Sequence, residues 1–200
     1  IAALALLSAA VPASGTPVTI VNGGFESPAV QTYIAGSITG WTISGSGAGV
    51  WNITDAPLGY WVTGAPEGKQ VAFVGREFSD TPGPAFIEQV LNVPLLPRSI
   101  YSFSFWVGHP IGFGYSRRPR TEFNVELLAG GNLLNSMHGT GSEGMLDPLG
   151  FTYSSAGSQF TGQTLSIRLF SSGAQTAFDN LHLDVRSVDR KSTRLNSSHV

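Results

Sequence analysis

The stretch SIYSFSFWVG, residues 99–108, decides the fold class. Apolar side chains stand at every second position from Tyr101 to Val107, and two serines and Trp106 fill the positions between them. Successive side chains of a β-strand point to opposite faces, so this spacing separates the apolar residues from the serines. The stretch therefore predicts a β-strand with one face buried, and it places Trp106 on the other face.

The rest of the chain repeats this pattern of short apolar runs separated by turn-forming residues. The chain has 200 residues, of which 25 are Gly and 12 are Pro, and only 12% are charged. No long window of the sequence keeps the apolar period of an α-helix. We therefore predict an all-β fold, an antiparallel β-sandwich of the jelly-roll type, with loops at residues 111–120 and 139–150. The further predicted strands are residues 16–21, 40–44, 49–54, 69–75, 85–93, 122–130, 150–155, 165–171 and 177–185.

The N-terminal segment differs in composition from the rest. Residues 1–13 begin with an apolar run and end on Val11, Pro12 and Ala13, the small-x-small pattern that precedes signal-peptidase cleavage. A membrane span is the alternative, but the run is far below the roughly 20 residues that cross a bilayer. We interpret residues 1–13 as the remnant of a secretory signal peptide and residues 14–187 as a single domain. The predicted location is extracellular or at the cell surface.

The C-terminal residues 188–200 are predicted to be an artefactual, disordered tail. Within them, DRKSTRLNSSH at residues 189–199 resembles the in-frame translation of a widely used sequencing-library adapter. Without residues 189–200, 8 Lys and Arg stand against 12 Asp and Glu, a net charge of −4, which disfavours nucleic acid as a partner. Cysteine is absent, so disulfides, thiolate metal sites and a cysteine nucleophile are excluded.

The segment AFDNLHLDV, residues 177–185, places a carboxylate among apolar residues. Strict alternation puts Asp179 on the apolar face, together with Leu181. A buried carboxylate needs a cation, dense hydrogen bonding or a metal ion. Glu26 follows a turn at residues 22–24, and carboxylates with backbone carbonyls are the oxygen ligands that Ca²⁺ takes. The alternative is that Asp179 caps backbone amides or pairs with an arginine and binds no metal.

Five motifs, taken in order, resemble the galactose-binding-like β-sandwich domains. This group includes carbohydrate-binding modules of xylanases and cellulases, and exported bacterial proteins with a PEP-CTERM sorting tail. The resemblance implies a structural calcium ion held by Glu26 and Asp179, polysaccharide as the partner, and membrane attachment only through a C-terminal anchor missing from this fragment. The motifs are NGGFESP (22–28), GW (40–41), GKQVAFVG (68–75), IEQVLNVPLLPRSIYSFSFWVG (87–108) and AFDNLHLD (177–184).

Ligand binding in such modules depends on aromatic rings that stack on the apolar faces of sugars and on polar groups at the sugar rim. The aromatic candidates are Tyr60 and Trp61 in the segment PLGYWVTG, and Trp106 on the predicted non-core face of its strand. Glu126 and Arg168, each predicted to face away from the core, are the polar candidates. The alternative for each ring is packing in the core or cover for a sheet.

Catalytic sequence motifs are absent. The sequence has no GxSxG, HExxH, P-loop or GxGxxG followed by a helix, and its histidines lack metal-ligand spacing. We therefore expect a secreted, non-catalytic protein that binds extracellular or cell-wall polysaccharide. The alternative is a structural surface or matrix protein with the same fold and no sugar site.

Overall fold

A computed structural model describes residues 15–45, 47–55, 59–75, 85–112, 122–172 and 175–188. These residues form thirteen strands in two sheets, and no helix occurs among them. The predicted signal-peptide remnant, residues 1–13, and the adapter-like residues 189–199 lie outside the described residues. Export and the C-terminal anchor stay predictions. Within the described ranges, no helix is long and apolar enough to cross a membrane.

The first sheet has eight strands. Its main path runs β10-β7-β13-β5-β4-β2, with β1 added to β13 and β11 added to β7. Its strands are β1 (Thr16–Val18), β2 (Tyr33–Ala35), β4 (Ala48–Asn52), β5 (Gln70–Val74), β7 (Ser99–His109), β10 (Ser142–Glu143), β11 (Leu146–Ser154) and β13 (Thr176–Ser187).

The second sheet has five strands in the order β3-β6-β12-β8-β9. All of its neighbouring strands are antiparallel. The strands are β3 (Thr42–Gly45), β6 (Ala85–Pro94), β8 (Phe123–Ala129), β9 (Asn132–Gly139) and β12 (Thr164–Ser171). Two packed, mainly antiparallel sheets confirm the predicted β-sandwich.

The main core lies between the two sheets, and the stretch at residues 99–108 supplies its centre. Phe103 and Phe105 of β7 are buried, as their alternation predicts. Their rings meet Phe151 and Phe123 edge to face, at centroid distances of 5.6 and 6.3 Å. Burying each such side chain stabilises the fold by roughly 1.5–3 kcal/mol, so this strand is a main contributor to the core.

The sequence patterns do not predict three of the strands, β2, β9 and β10. Residues 139–150, predicted to be a loop, contain β10 and the start of β11. β9 pairs with β8 alone at the edge of its sheet, and its side chains are mostly exposed or half-buried, so it lacks a clear apolar alternation. A signal for it existed in Gly130 and Gly131, which both have positive φ and join β8 to β9 as a hairpin.

Candidate functional site

A second cluster of buried side chains lies on the outer face of the first sheet, away from the main core. In β4 and β5 the inward positions hold Val50 and Ala72, which pack in the main core. The alternate positions hold Trp51 and Phe73, which belong to the second cluster. These two strands are therefore buried on both faces, and their continuous apolar sequences follow from that position.

Four aromatic residues form what we call the aromatic site: Trp51, Tyr60, Trp61 and Trp106. The ring of Trp51 meets Trp61 at 5.9 Å and Tyr60 at 5.8 Å, both edge to face. Trp106 of β7 packs half-buried against the same cluster. Three of the predicted ligand-binding residues therefore come together, joined by Trp51, although Trp61 itself is only 6% exposed.

The indole N–H of Trp61 is buried and has no hydrogen-bond partner among the described residues. A buried donor without a partner costs about 1–3 kcal/mol, so such groups are uncommon in folded proteins. A bound molecule that offers an acceptor oxygen or nitrogen would satisfy this donor. The aromatic site is therefore suited to a ligand that is largely apolar and carries one hydrogen-bond acceptor.

Exposed apolar side chains border the aromatic site. Val62 is 68% exposed, and Ile111 and Met145 are exposed as well. Backbone hydrogen bonds hold their three segments together: the N–H of Val62 donates to Gly144 and the N–H of Ile111 donates to Tyr60, each at 2.8 Å. The border is thus built from fixed backbone and presents an apolar approach to the rings.

The structure corrects the predicted orientation of Asp179. Asn180 has a φ of 51°, and the pairing with β7 shifts between Asp179 and His182, which marks a β-bulge. Because of the bulge, Phe178 and Leu181 both face the main core, and Asp179 does not share their face. Asp179 instead pairs with Trp106 on the outer face of the sheet, beside the aromatic site.

Asp179 is nevertheless completely buried, with 0% exposure. Its carboxyl oxygens accept the backbone N–H of Glu67 at 2.9 Å and of Asn180 at 2.7 Å. Burial raises the pKa of Asp179 to about 8; these two hydrogen bonds lower it, and the nearby carboxylates of Glu67 and Glu26 raise it further. The carboxyl group of Asp179 therefore holds its proton at neutral pH when no cation is bound beside it.

The carboxyl groups of Glu26 and Glu67 each lie over a glycine of the other's segment. A Cβ added to Gly24 would lie 2.6 Å from the carboxyl carbon of Glu67, and one added to Gly68 would lie 2.4 Å from that of Glu26. Glu26 also accepts the backbone N–H groups of residues 69 and 70. None of the described residues form a group of three or more His, Cys, Asp or Glu arranged to hold a metal, and calcium stays a prediction.

Glu126 and Arg168, the two polar candidates, lie far from the aromatic site, on the outer face of the second sheet. Arg168 of β12 forms ion pairs with Glu88 at 3.0 Å and with Glu126 at 3.4 Å. Its guanidinium also lies 4.8 Å from the ring centroid of Phe86. The five predicted ligand-binding residues are therefore divided between two sites on opposite sides of the sandwich.

Sequence reasoning did not single out Glu67, whose backbone holds Asp179. Its only signal was its place in the turn Pro66-Glu67-Gly68, directly before a predicted strand. The bulge at Asn180 had no signal beyond the tolerance of asparagine for left-handed backbone.

Comparisons with known proteins agree on the family. The sequence matches the HpiC1-like family, described as HpiC1 cyclase, over residues 16–184. The apo form of a cyclase from Fischerella sp. is 26% identical, covers 88% of this chain and 98% of its own, and superposes with a TM-score of 0.75. A cyclase from Fischerella sp. TAU in complex with 4-(1H-indol-3-yl)butan-2-one is also 26% identical, over 87% of this chain and 99% of its own, with a TM-score of 0.74.

Carbohydrate-binding modules share the fold. TmCBM61, solved in complex with beta-1,4-galactotriose, is 18% identical over 82% of this chain and 95% of its own, with a TM-score of 0.53. This likeness supports the predicted β-sandwich and extends no further. The curated proteins hold no significant sequence match.

These matches overturn one expectation from the sequence. A non-catalytic protein was expected because no catalytic motif is present, but the matching family and the Fischerella structures are cyclases. That expectation is wrong, and the chain belongs to the HpiC1-like cyclase family.

Proposed function

We propose that the protein is an enzyme that cyclises a small, largely apolar substrate held against the aromatic site. The observation that carries the proposal is the buried indole N–H of Trp61, which has no partner within the described residues and lies among Trp51 and Tyr60. A Fischerella cyclase binds 4-(1H-indol-3-yl)butan-2-one, which combines a flat, apolar indole ring with one ketone oxygen as acceptor. The same kind of ligand matches the composition of this site.

The aromatic rings suit the chemistry of ring closure. When a double bond is protonated, the neighbouring carbon becomes electron-deficient, and a second double bond or aromatic ring can attack it to form the new ring bond. The faces of tryptophan and tyrosine stabilise positive charge, and an apolar surface keeps water from capturing it. Loss of a proton from a neighbouring carbon then restores the charge balance.

Asp179 is the group we assign as proton donor. It is completely buried and pairs with Trp106 in the strand register, so it lies on the same face of the sheet as the rings. Proton transfer from a positioned acid of this kind contributes typically 10²- to 10⁴-fold to a rate. The two backbone N–H groups that hold the carboxyl fix its orientation.

The test is calorimetric titration with 4-(1H-indol-3-yl)butan-2-one. Trp61→Phe keeps an aromatic ring and removes the N–H, so we expect the affinity to fall by the net value of a hydrogen bond, about 0.5–1.5 kcal/mol, or roughly 2- to 13-fold in Kd. Trp41→Phe is the matched control, because the indole N–H of Trp41 is also buried without a partner but lies in the main core. Equal losses in both variants, or no binding to the unmodified protein, would contradict the proposal.

Calcium at Glu26 and Asp179 is a competing proposal for the same carboxyl group, since a carboxylate bound to a metal ion cannot serve as the proton donor. The residues fit calcium in two respects. The donors are hard oxygen atoms, and the absence of a Cβ at Gly24 and Gly68 leaves room for the carboxyl groups of Glu67 and Glu26. Bound there, calcium would tie the segment around Glu26 to the closing strand β13.

Carbohydrate binding is a second candidate function, at a different place. The observation in its favour is the polar row across the outer face of the second sheet, in which Arg168 lies between Glu88 and Glu126 with Phe86 beside it. Charged groups beside an aromatic ring suit the hydroxyls and apolar faces of a sugar. Affinity electrophoresis against soluble polysaccharides tests this, and no retention of the folded protein on any of them would reject it.

A further inference from the structure

The indole N–H of Trp61 is shielded from solvent in this conformation. The nitrogen atom is buried, the Trp61 side chain is 6% exposed, and Trp51, which packs against it, is also 6% exposed. A ligand that accepts a hydrogen bond from this N–H can therefore bind only after part of the aromatic site has moved.

Two of the four aromatic residues lie on strands that are paired on both sides. Trp51 belongs to β4, which pairs with β2 and β5, and Trp106 belongs to β7, which pairs with β11 and β13. Moving the backbone of either residue would break rows of hydrogen bonds in the sheet. Tyr60 and Trp61, in contrast, lie in the connection between β4 and β5, outside the strands. Movement therefore costs least free energy in the segment that carries Tyr60 and Trp61.

Residues 59–64 form the part of this connection that can move, and we call them the lid segment. Its first residue, Gly59, has a φ of 78°, and none of the described residues, apart from its chain neighbours, comes within 4 Å of the position that a Cβ would take. Its last residue is Gly64. Directly after it, the backbone N–H groups of residues 65, 67 and 69 each donate to a side-chain oxygen at 2.9 Å. The lid segment therefore ends where these anchoring hydrogen bonds begin.

Two backbone hydrogen bonds hold the lid segment in its closed position. The N–H of Val62 donates to Gly144, and Tyr60 accepts the N–H of Ile111, each at 2.8 Å. Packing of the Trp61 ring on Trp51 favours the closed position as well. The unpartnered N–H of Trp61 acts against them, because an exposed indole N–H regains a hydrogen bond to water. Opening therefore breaks two backbone hydrogen bonds and satisfies one buried donor.

We propose that the lid segment opens to admit the substrate to the aromatic site and then closes over it, with Trp61 as the side chain that meets the substrate. This inference rests on the proposed function. In the closed position the lid segment excludes water, which would otherwise capture the positively charged intermediate. The acceptor atom of the substrate then takes the place of water as the partner of the indole N–H.

A cleavable cross-link tests the proposal. The chain contains no cysteine, so the double variant Val62→Cys, Ile111→Cys carries the only two thiols. Both native side chains are exposed, and they approach the same point: a Cβ at Gly144 would lie 3.2 Å from Cγ2 of Val62 and 2.6 Å from Cγ1 of Ile111. A bis-maleimide whose two halves are joined by a disulfide would tether the lid segment to the end of β7, and a reductant would release it.

Binding of 4-(1H-indol-3-yl)butan-2-one is then measured by calorimetry with the tether intact and after it has been cleaved. Because the tether removes the open state, we expect the Kd to rise roughly tenfold or more while the tether is intact. Cleavage leaves both halves of the reagent on the protein, so it frees the lid segment without removing bulk. The Kd should then return to that of the unmodified protein.

The matched control is the double variant Ser102→Cys, Thr152→Cys. These residues are exposed partners in the pairing of β7 with β11, on the same sheet but outside the lid segment. Four residues along a strand span about 13 Å, so a tether at Ser102 lies well away from Trp106. The Kd of this control should be the same with the tether intact and cleaved.

Hydrogen exchange measures the opening without any substitution. Opening frees the N–H groups of Val62 and Ile111 together, so we expect both to exchange faster than the amides of β7 and both to be slowed by the bound ketone. Exchange of both amides only as slowly as those of β7, through global unfolding, would overturn the lid.

The outcomes separate the two proposals. A Kd that is the same with the Val62–Ile111 tether intact and cleaved overturns the lid, while the proposed function stands. Failure of the unmodified protein to bind the ketone overturns the proposed function, and the lid falls with it.

Discussion

Calcium binding at Glu26 and Asp179 predicts a large, ion-dependent change in thermal stability. The carboxyl groups of Glu26, Glu67 and Asp179 lie close enough for the first two to raise the pKa of the third. Within the described residues none of the three forms an ion pair, because the ammonium group of Lys69 bonds to Asp55 instead. A divalent cation among them would therefore offset repulsion that exists only in the folded state.

The size of the effect follows from mass action. At a calcium concentration 100 times the Kd, an ion that binds only the folded protein adds about 2.7 kcal/mol of stability. For a domain of this length each kcal/mol raises the melting temperature by about 2–4 °C, so calcium should raise it by roughly 5–11 °C over a chelator. Differential scanning calorimetry in matched buffers measures this.

Substitutions locate the ion. Glu26→Gln keeps a carbonyl oxygen for the N–H groups of Lys69 and Gln70 and removes the charge, so we expect most of the calcium increment to vanish while the midpoint in chelator changes little. Glu122→Gln, at an exposed position directly before β8 of the other sheet, should keep the full increment. An unmodified protein that melts at one temperature in calcium and in chelator refutes the calcium proposal and leaves Asp179 to its role as acid.

Two further predictions concern the second sheet and the border of the aromatic site. Arg168→Met should lower the free energy of unfolding by about 1.5–3 kcal/mol in urea denaturation, because it removes charge-assisted hydrogen bonds from two half-buried carboxylates. Adding Glu88→Gln and Glu126→Gln to this variant should recover most of the loss. A loss below about 0.5 kcal/mol would mean that solvent screens these ion pairs. Gly144→Ala should weaken binding of 4-(1H-indol-3-yl)butan-2-one more than Gly36→Ala does. Both glycines have positive φ, but only at Gly144 would the new Cβ meet neighbouring side chains, those of Ile111 and Val62. Equal affinities of the two variants would show that the apolar border of the aromatic site does not contact the ligand.

The inner faces of the two sheets could be predicted from the sequence because they obey one rule. Strands that bury one face against the main core along most of their length, such as β7, alternate as Phe103 and Phe105 do, because burial enforces that spacing. β9 was not predicted, because an edge strand with one neighbour buries too little of its surface to enforce an alternation of apolar and polar residues. Its hairpin signal, the pair Gly130 and Gly131, lay in the turn and not in the strand.

The outer face of the first sheet could be predicted only in part. Alternation assigned Trp106 to the correct face. Its packing with Tyr60 and Trp61 depends on how residues 59–69 fold over the sheet, and no local sequence pattern predicts that fold. Asp179 was assigned to the wrong face because one residue in left-handed conformation, Asn180, reverses the alternation. A shift of one residue in a strand exchanges the two faces, so it changes which groups meet a ligand.

The shared sandwich explains why the sequence suggested a binding module when the family is a cyclase. The motifs that carry the resemblance, NGGFESP and AFDNLHLD, belong to the turn and closing strand of the sandwich, and the sandwich is shared with TmCBM61. A fold of this kind accepts unrelated functions, because function depends on what its outer surfaces carry. On this chain the bulge at Asn180 leaves Asp179 on the outer face of the first sheet, the face of the aromatic site, while Leu181 faces the main core. Asp179 belongs to no catalytic sequence motif, so a search for motifs does not detect the buried carboxyl group that the pairing of β13 with β7 places on the same face of the sheet as the aromatic site.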